Sequence, residues 1–574
     1  MNCPNCGASN APGAKFCVGC GANIAAQQNP QQNTQQNSQQ QYVQQQQQYV
    51  QQQQQYVAPQ QPAPKKAGSK VNAGAIKAQM AGVLGPIGSK VKSIFSNKMV
   101  LFGAIGCVAV LLVLAIVCAI FGGNNGFIEQ KSSITVQKTD KEEYSVIVNK
   151  KVLSTTIDSK SAPQWRTSLD GKNAAILSSE KELYGVSGKK IKEIASDVID
   201  FKLSNNGKYV AYVTAETKDS KTVYTLHLAK VSSGKSKEIS DDIGSNADYV
   251  ISPDGKSVAY FVPASESGKK AELMYFKGKK SVEVSNDGGT LYGMSDNGKQ
   301  IYVKISGEGT NLYCYKKNGD REKLGELTGS VGFNSKHTQV MFSGKDGKMY
   351  FSNKGKEAEK LVNDSSLNLV YPSGYSDANA TGENTLPVTN LLKHVYSNND
   401  NELWMIKKND KSTKLVSKAT SAQLDASGKY VYYIYDGDEL RCIKASHGDK
   451  ASEKYKTIVK DDVSKNYVVT SNRKFVYFIY DGALYSVNGK KGGTPREITE
   501  DLSSVSLALS RKDRVYYIQD GDLYACSNGK KGSKVLSDVQ AAVASGNGNV
   551  YAISDDTFYG TTGAKKLKKL CELG

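Results

Sequence analysis

Four cysteines at the N-terminus carry the clearest chemistry in this 574-residue chain. Cys3 and Cys6 form one C-x2-C pair, and Cys17 and Cys20 form a second. Each short turn aims two thiolates at one point, and two such pairs make the tetrahedral all-sulfur ligand set of a zinc site. Gly7 and Gly21 follow the pairs, where a ligand turn often needs positive φ. With every ligand position taken by cysteine, no open position is left for water or substrate, so the expected Zn2+ is a single structural ion. A segment this short cannot build a core, so the metal supplies most of its folding energy. Two disulfides are the competing arrangement; they need an oxidising compartment, and no cleavable signal precedes these cysteines.

The CPNCGA…FCVGCGA pattern over residues 1–24 resembles the short zinc ribbons that open many bacterial membrane proteins. That resemblance implies a metal site and says nothing of partners. Other chemistry is sparse. His227, His337, His394 and His447 are scattered, which disfavours a His-rich metal centre or a His-dependent hydrolase. There is no G-x-S-x-G elbow, HExxH, EF-hand loop or dinucleotide fingerprint, and GVLGPIGSK does not fit the phosphate-loop spacing. A carboxylate pair for glycoside chemistry stays open, since no Asp or Glu is singled out.

The elements that must position the ribbon follow it. Residues 1–26 are read as the zinc ribbon and 27–64 as a Gln-rich disordered tether, with Tyr42, Tyr49 and Tyr56 at heptad spacing but too little apolar surface for a coiled coil. Gln-driven self-association is the minority reading of that tract. Residues 65–98 form a basic juxtamembrane segment with seven Lys, and no acid occurs before Glu129. Residues 99–121 are uncharged for 23 positions, enough to cross a hydrocarbon core of about 30 Å as one transmembrane helix. Cys107 and Cys118 inside it read as small apolar residues. The lysines before the span place the N-terminus in the cytoplasm and the C-terminal region outside the cell membrane, in keeping with reduced, zinc-loaded thiols within.

After a linker, 122–131, residues 132–574 repeat one sentence: a short strand, an Asp/Asn-Gly-Lys turn, then a β-rich strand. Clear copies are SLDGKNAAIL at Ser168, SNNGKYVAYV at Ser204, SPDGKSVAYFV at Ser252 and SDNGKQIYVKI at Ser295; later ones, such as ASGKYVYYIY at Ala426, are degenerate. Ten anchors from Lys172 to Asn549 are spaced about 42 residues apart, the period of a four-stranded propeller blade. The second strand runs into Asp-Gly hairpins at Asp436, Asp481 and Asp520, suited to type I′ geometry. Those Asp-Gly steps read as turn chemistry rather than calcium loops. The fold class is therefore mainly β: an extracytoplasmic β-propeller, with the small zinc ribbon and one membrane helix.

The SPDGK-type turn resembles the TolB-like propeller repeats of bacterial envelope proteins, as a pattern over residues 155–574, with Ser252–Lys256 the full copy. Ten units exceed the four to eight blades usual for one propeller. Residues 132–154 are expected to supply strands that close the array against the C-terminus. An insertion at 371–392 separates the first and second strands of one unit, either for binding or as a surface excursion. Cys314, Cys442, Cys526 and Cys571 are expected as free thiols, with Cys526–Cys571 the pair to test for a disulfide.

Removing the eight Lys of residues 1–98 from the net charge of +19 leaves +11 on the outer region. That charge serves solubility or favours anionic wall polymer or membrane. The 33 Tyr sit mostly in strands and read as packing. The functional expectation is a non-enzymatic, single-pass binding, sensor or scaffold protein. Its outer propeller recognises a protein, peptide or envelope polymer, its ribbon meets a cytoplasmic partner, and nucleic acid is not expected. The rival is a propeller-type glycan hydrolase or lyase, which would show two or three converging Asp/Glu with an Arg at the channel mouth.

Overall fold

The computed structural model describes residues 126–574 apart from 306–308, 376–383, 409–410, 504–506 and 564–565. The ligand cysteines, tether, basic segment and 99–121 lie outside the described residues. Among the described residues no helix is long and apolar enough to cross a membrane.

The described chain is almost wholly antiparallel β-sheet. Each four-stranded sheet is built from consecutive strands, and a seven-stranded one is two such units sharing Arg321–Phe333. In that strand, residues 321–326 pair with Asn311–Tyr315 and residues 327–333 with Gln339–Gly344. Counting the two halves separately gives eleven repeats. Repeat 1 (134–158) has three strands, and ten four-stranded repeats follow: 2 (164–195), 3 (198–240), 4 (249–285), 5 (290–326), 6 (327–362), 7 (368–416), 8 (419–459), 9 (467–499), 10 (508–536) and 11 (539–572). The ten sequence anchors fall one in each of repeats 2 to 11.

Apolar second strands explain how the repeats stack. A strand alternates its side chains between two faces, and both faces here are covered. In Asn173–Leu177, Ala174 and Ile176 pack on repeat 1, while Ala175 and Leu177 pack on repeat 3. In Tyr209–Lys218, Val210 and Tyr212 face repeat 2, and Ala211 and Val213 face repeat 4. The same handover continues to repeat 11, whose Tyr551 and Phe558 pack with Ile147 of repeat 1. Second-strand tyrosines add a polar tie to the following repeat: Tyr432 Oη donates to Gly489 O at 2.6 Å, and Tyr477 Oη accepts from Gly529 N at 2.9 Å. Tyr551 makes the equivalent bond to Asn149 O of repeat 1. The last repeat thus meets the first with the contact used between consecutive repeats.

Repeat 1 lacks an inner strand. Its Ser159 N donates to Glu142 O, as Val198 N donates to Lys181 O where repeat 2 hands over to repeat 3, so its strands match the second, third and fourth of the other repeats. The strands expected within 132–154 are this sheet, which runs from Ile134 to Asp158.

Candidate binding faces and the filled interior

Strand direction sorts the loops onto two faces. The turn between first and second strands lies beside the loop between third and fourth strands, as in the bonds Val231 N to Lys208 O, Lys354 N to Thr338 O and Gly489 N to Lys474 O. We call this the turn face. The hairpin between second and third strands lies beside the links between repeats, as in Asp436 N to Lys418 O, Leu502 N to Gly482 O and Val539 N to Gly521 O. This is the hairpin face.

On the turn face the recurrent motif consumes its own acid. Ser252 Oγ donates to Asp254 Oδ1 at 2.8 Å, and the same carboxylate accepts from Lys256 N at 3.0 Å. Ser168 with Asp170, Ser204 with Asn206 and Ser545 with Asn547 repeat the bond. Gly255 has φ +78°, and a Cβ there would lie 2.6 Å from Tyr209 Cβ of the preceding repeat. Neighbouring turns are also tied: Asp254 N donates to Asp296 Oδ1 at 2.8 Å, and Ser471 N to Asp513 Oδ1 at 2.6 Å. Burial pushes the Asp296 carboxyl up, with Asp254 adding to it. What the motif leaves in solvent is the lysine after the glycine: Lys172, Lys208, Lys256, Lys299 and Lys429 are all exposed. Gly-Lys-Lys loops such as Gly278–Lys280 and Gly529–Lys531 add to them.

On the hairpin face Asp-Gly turns adopt the expected geometry: Asp436 and Gly437 have φ 53° and 108°, Asp481 and Gly482 45° and 73°, Asp520 and Gly521 51° and 75°. Links between repeats also hold Asp at positive φ, as at Asp197, Asp462, Asp501 and Asp538. These aspartates are exposed, so the hairpin face is rich in carboxylate. Among the described residues no three His, Cys, Asp or Glu gather to hold a metal ion.

The described parts of the 371–392 insertion, 371–375 and 384–392, lie against the ends of first strands. Pro372 pairs with Leu424 of repeat 8, Ser373 Oγ accepts from Val469 N of repeat 9, and Gly374 approaches Leu509 of repeat 10. Further along, Thr385 pairs with Phe333, and Val388 O accepts from Ser335 N, both in repeat 6. Residues 126–132 lie alongside: Phe127 pairs with Val388 and packs on Tyr371, Tyr375 and His394, Glu129 meets Arg511 at 3.4 Å, and Lys131 N donates to Asp170 O. The described half of the expected linker is therefore packed.

Two histidines read in the sequence as scattered hold these segments. His337 Nε2 hydrogen-bonds Thr385 Oγ1 at 2.7 Å, and burial pushes its imidazole down to about 4. His394 meets the Phe127 ring edge-on at 5.1 Å, and burial likewise holds it at about 4. Spacing gave no sign of either role, because both depend on contacts with segments outside the repeat. The acids near the inner strands are engaged in place: Asp200 Oδ2 accepts from Tyr249 Oη at 2.7 Å, and Asp248 Oδ2 from Leu291 N at 2.8 Å.

Cys314, Cys442, Cys526 and Cys571 are free. The Cys526–Cys571 pair singled out for a disulfide is not bonded, and the reason is register. Cys314 and Cys442 face the following repeat, but Cys526 sits one residue later and so faces repeat 9, away from Cys571 in repeat 11. Burial pushes the Cys314 and Cys526 thiols up to about 12 and Cys442 to about 11, leaving them protonated.

A zinc-ribbon domain family matches residues 2–24, spanning both C-x2-C pairs. No curated protein matches the chain. Among solved structures, a putative TolB from Agrobacterium tumefaciens is similar at 16% identity over 41% of this chain and 93% of that one, with a TM-score of 0.25. The β-propeller domain of the Trilobed protease from Pyrococcus furiosus is similar at 14% identity over 53% and 95%, TM-score 0.25. The tricorn protease is similar at 13% identity over 68% of this chain and TM-score 0.22; the match spans 46% of that protein, less than half its length.

Proposed function

We propose that the chain is a membrane-anchored binding scaffold. A propeller-like ring of eleven repeats stands outside the cell membrane, a single span crosses at 99–121, and a structural zinc ribbon, with zinc on Cys3, Cys6, Cys17 and Cys20, meets a partner in the cytoplasm. The outer ligand is a protein, peptide or envelope polymer. The observation that carries the binding reading is the filled interior. Residues 371–375, 384–392 and 126–132 lie at the first-strand ends, where a channel-mouth site would form, leaving the exposed loops of the two faces as the surface available to a partner. The zinc reading rests on the ribbon match and on a donor set of four thiolates, which suits a closed tetrahedral site.

Impermeant maleimide applied to intact cells tests the topology. A Lys269→Cys variant, on an exposed hairpin of repeat 4, is expected to label, and Cys3 is not. The reverse pattern overturns the anchoring. Incubation of purified protein with wall glycan is expected to release no reducing ends; release would replace the scaffold with the hydrolase or lyase.

A further inference from the structure

The chain enters the β region on the turn face. Gly126 lies against His394 and Thr389, just before the second strand of repeat 7, and a Cβ on Gly126 would be 3.2 Å from His394 Nε2. Glu129 then meets Arg511 in the repeat 10 turn, and Lys131 N donates to Asp170 O in the repeat 2 turn. These contacts of the leading segment with repeat turns lie on the same face.

Five peptide steps separate Phe121 from Gly126 and reach no further than about 18 Å when fully extended. The packing of Phe127, which is 6% exposed, removes slack on the protein side. The face nearest the end of the 99–121 segment is therefore the lysine face, and the aspartate-rich hairpins point the other way.

We propose that the turn face lies on an anionic phospholipid leaflet, with lysines from successive repeats meeting lipid phosphates. This rests on the reading of 99–121 as a span. Two independent features meet in it: the covalent tether sets which face is near the membrane, and the turn motif sets that face's charge. In the turns, Asp170 and Asp254 are held by the motif's own Ser and backbone N–H, while Lys208, Lys299, Lys336 and Lys429 project from exposed positions. Each basic residue held at an anionic surface contributes about fivefold in binding, and several acting together make a stable contact. A soluble anionic polymer would meet the same charges; the tether adds the leaflet's proximity, which a polymer lacks.

The test is lysine acetylation footprinting of the full chain in nanodiscs of neutral phosphatidylcholine or of phosphatidylcholine with phosphatidylglycerol. Lys256, Lys299 and Lys336 are expected to be protected in the anionic discs alone, in a salt-sensitive manner, while Lys218 and Lys269 on the hairpin face label equally in both. A triple variant, Lys208→Glu, Lys256→Glu and Lys299→Glu, removes about 100-fold of surface attraction, so Lys336 labelling returns to its neutral-disc level with insertion unchanged. Equal labelling of turn lysines in an inserted chain overturns the proposal, as does protection of the hairpin lysines. Equal protection in neutral discs on adding poly(glycerol phosphate) assigns the face to a polymer and also overturns it. A chain that does not enter the discs fails at the span itself, which insertion measured by flotation reports separately.

Discussion

The turn face and the hairpin face end the same strands, yet they carry opposite charge for different backbone reasons. A type I′ hairpin needs φ > 0 at both central positions, and aspartate is among the few non-glycine residues that enter that region at low cost. Asp436, Asp481 and Asp520 are therefore in solvent as a by-product of strand twist. The turn motif places glycine at positive φ, uses its Asp as an internal cap and sets a lysine beyond. Recurring along the chain, these two local solutions give the described repeats one basic and one acidic face. A local choice of turn becomes a global property.

The same comparison ranks substitutions. Gly255→Ala on the turn face meets both a left-handed backbone and Tyr209, and is expected to cost about 3 kcal/mol in chemical denaturation. Gly437→Ala on the hairpin face has φ +108° and nothing within 4 Å, so only backbone strain of about 1 kcal/mol remains. Equal losses would break the contrast between a packed and an open face.

Acid is expected to act through the interior. His337 holds a pKa of about 4 in the folded state against about 6.5 when unfolded. Below pH 6.5 the unfolded chain takes up a proton that the folded chain refuses, so stability falls from pH 6.5 to about 4 and this contribution then levels off. His337 accounts for about 3 kcal/mol of that loss. His337→Asn should flatten the corresponding part of a denaturation-against-pH curve; an unchanged slope would mean that the imidazole is not sealed by Thr385.

Smaller still is the loss of one tie between repeats. Tyr477→Phe leaves Gly529 N without its side-chain acceptor and is expected to cost about 1 kcal/mol in thermal unfolding. Tyr551→Phe should cost a similar amount if repeats 11 and 1 meet as neighbours do elsewhere. A loss near zero at Tyr551 alone would single out that junction as open.

Much of this was legible from sequence where the signal was local and repeated. The ten anchors fall one in each of repeats 2 to 11, and the Asp-Gly steps take their expected turns. Repeat 1 was read only as closing strands, because it lacks the inner strand and so the turn that marks the others. The insertion was visible as an interruption of period, but its place against repeats 6, 8, 9 and 10 depends on contacts that no local pattern encodes. Phe127 was assigned to a linker for the same reason. Cys526 shows the sensitivity of β register: one residue of offset turns the thiol toward repeat 9 and away from Cys571, and the four thiols are free as expected.

The most direct test of the two-faced account is quenching by a lipid-headgroup quencher of a fluorophore placed on either face of the full chain in anionic nanodiscs. With the label at Lys299→Cys the emission is expected to fall strongly, and with the label at Lys269→Cys it should hardly change. Equal quenching at both sites, or stronger quenching at the hairpin site, would contradict the account.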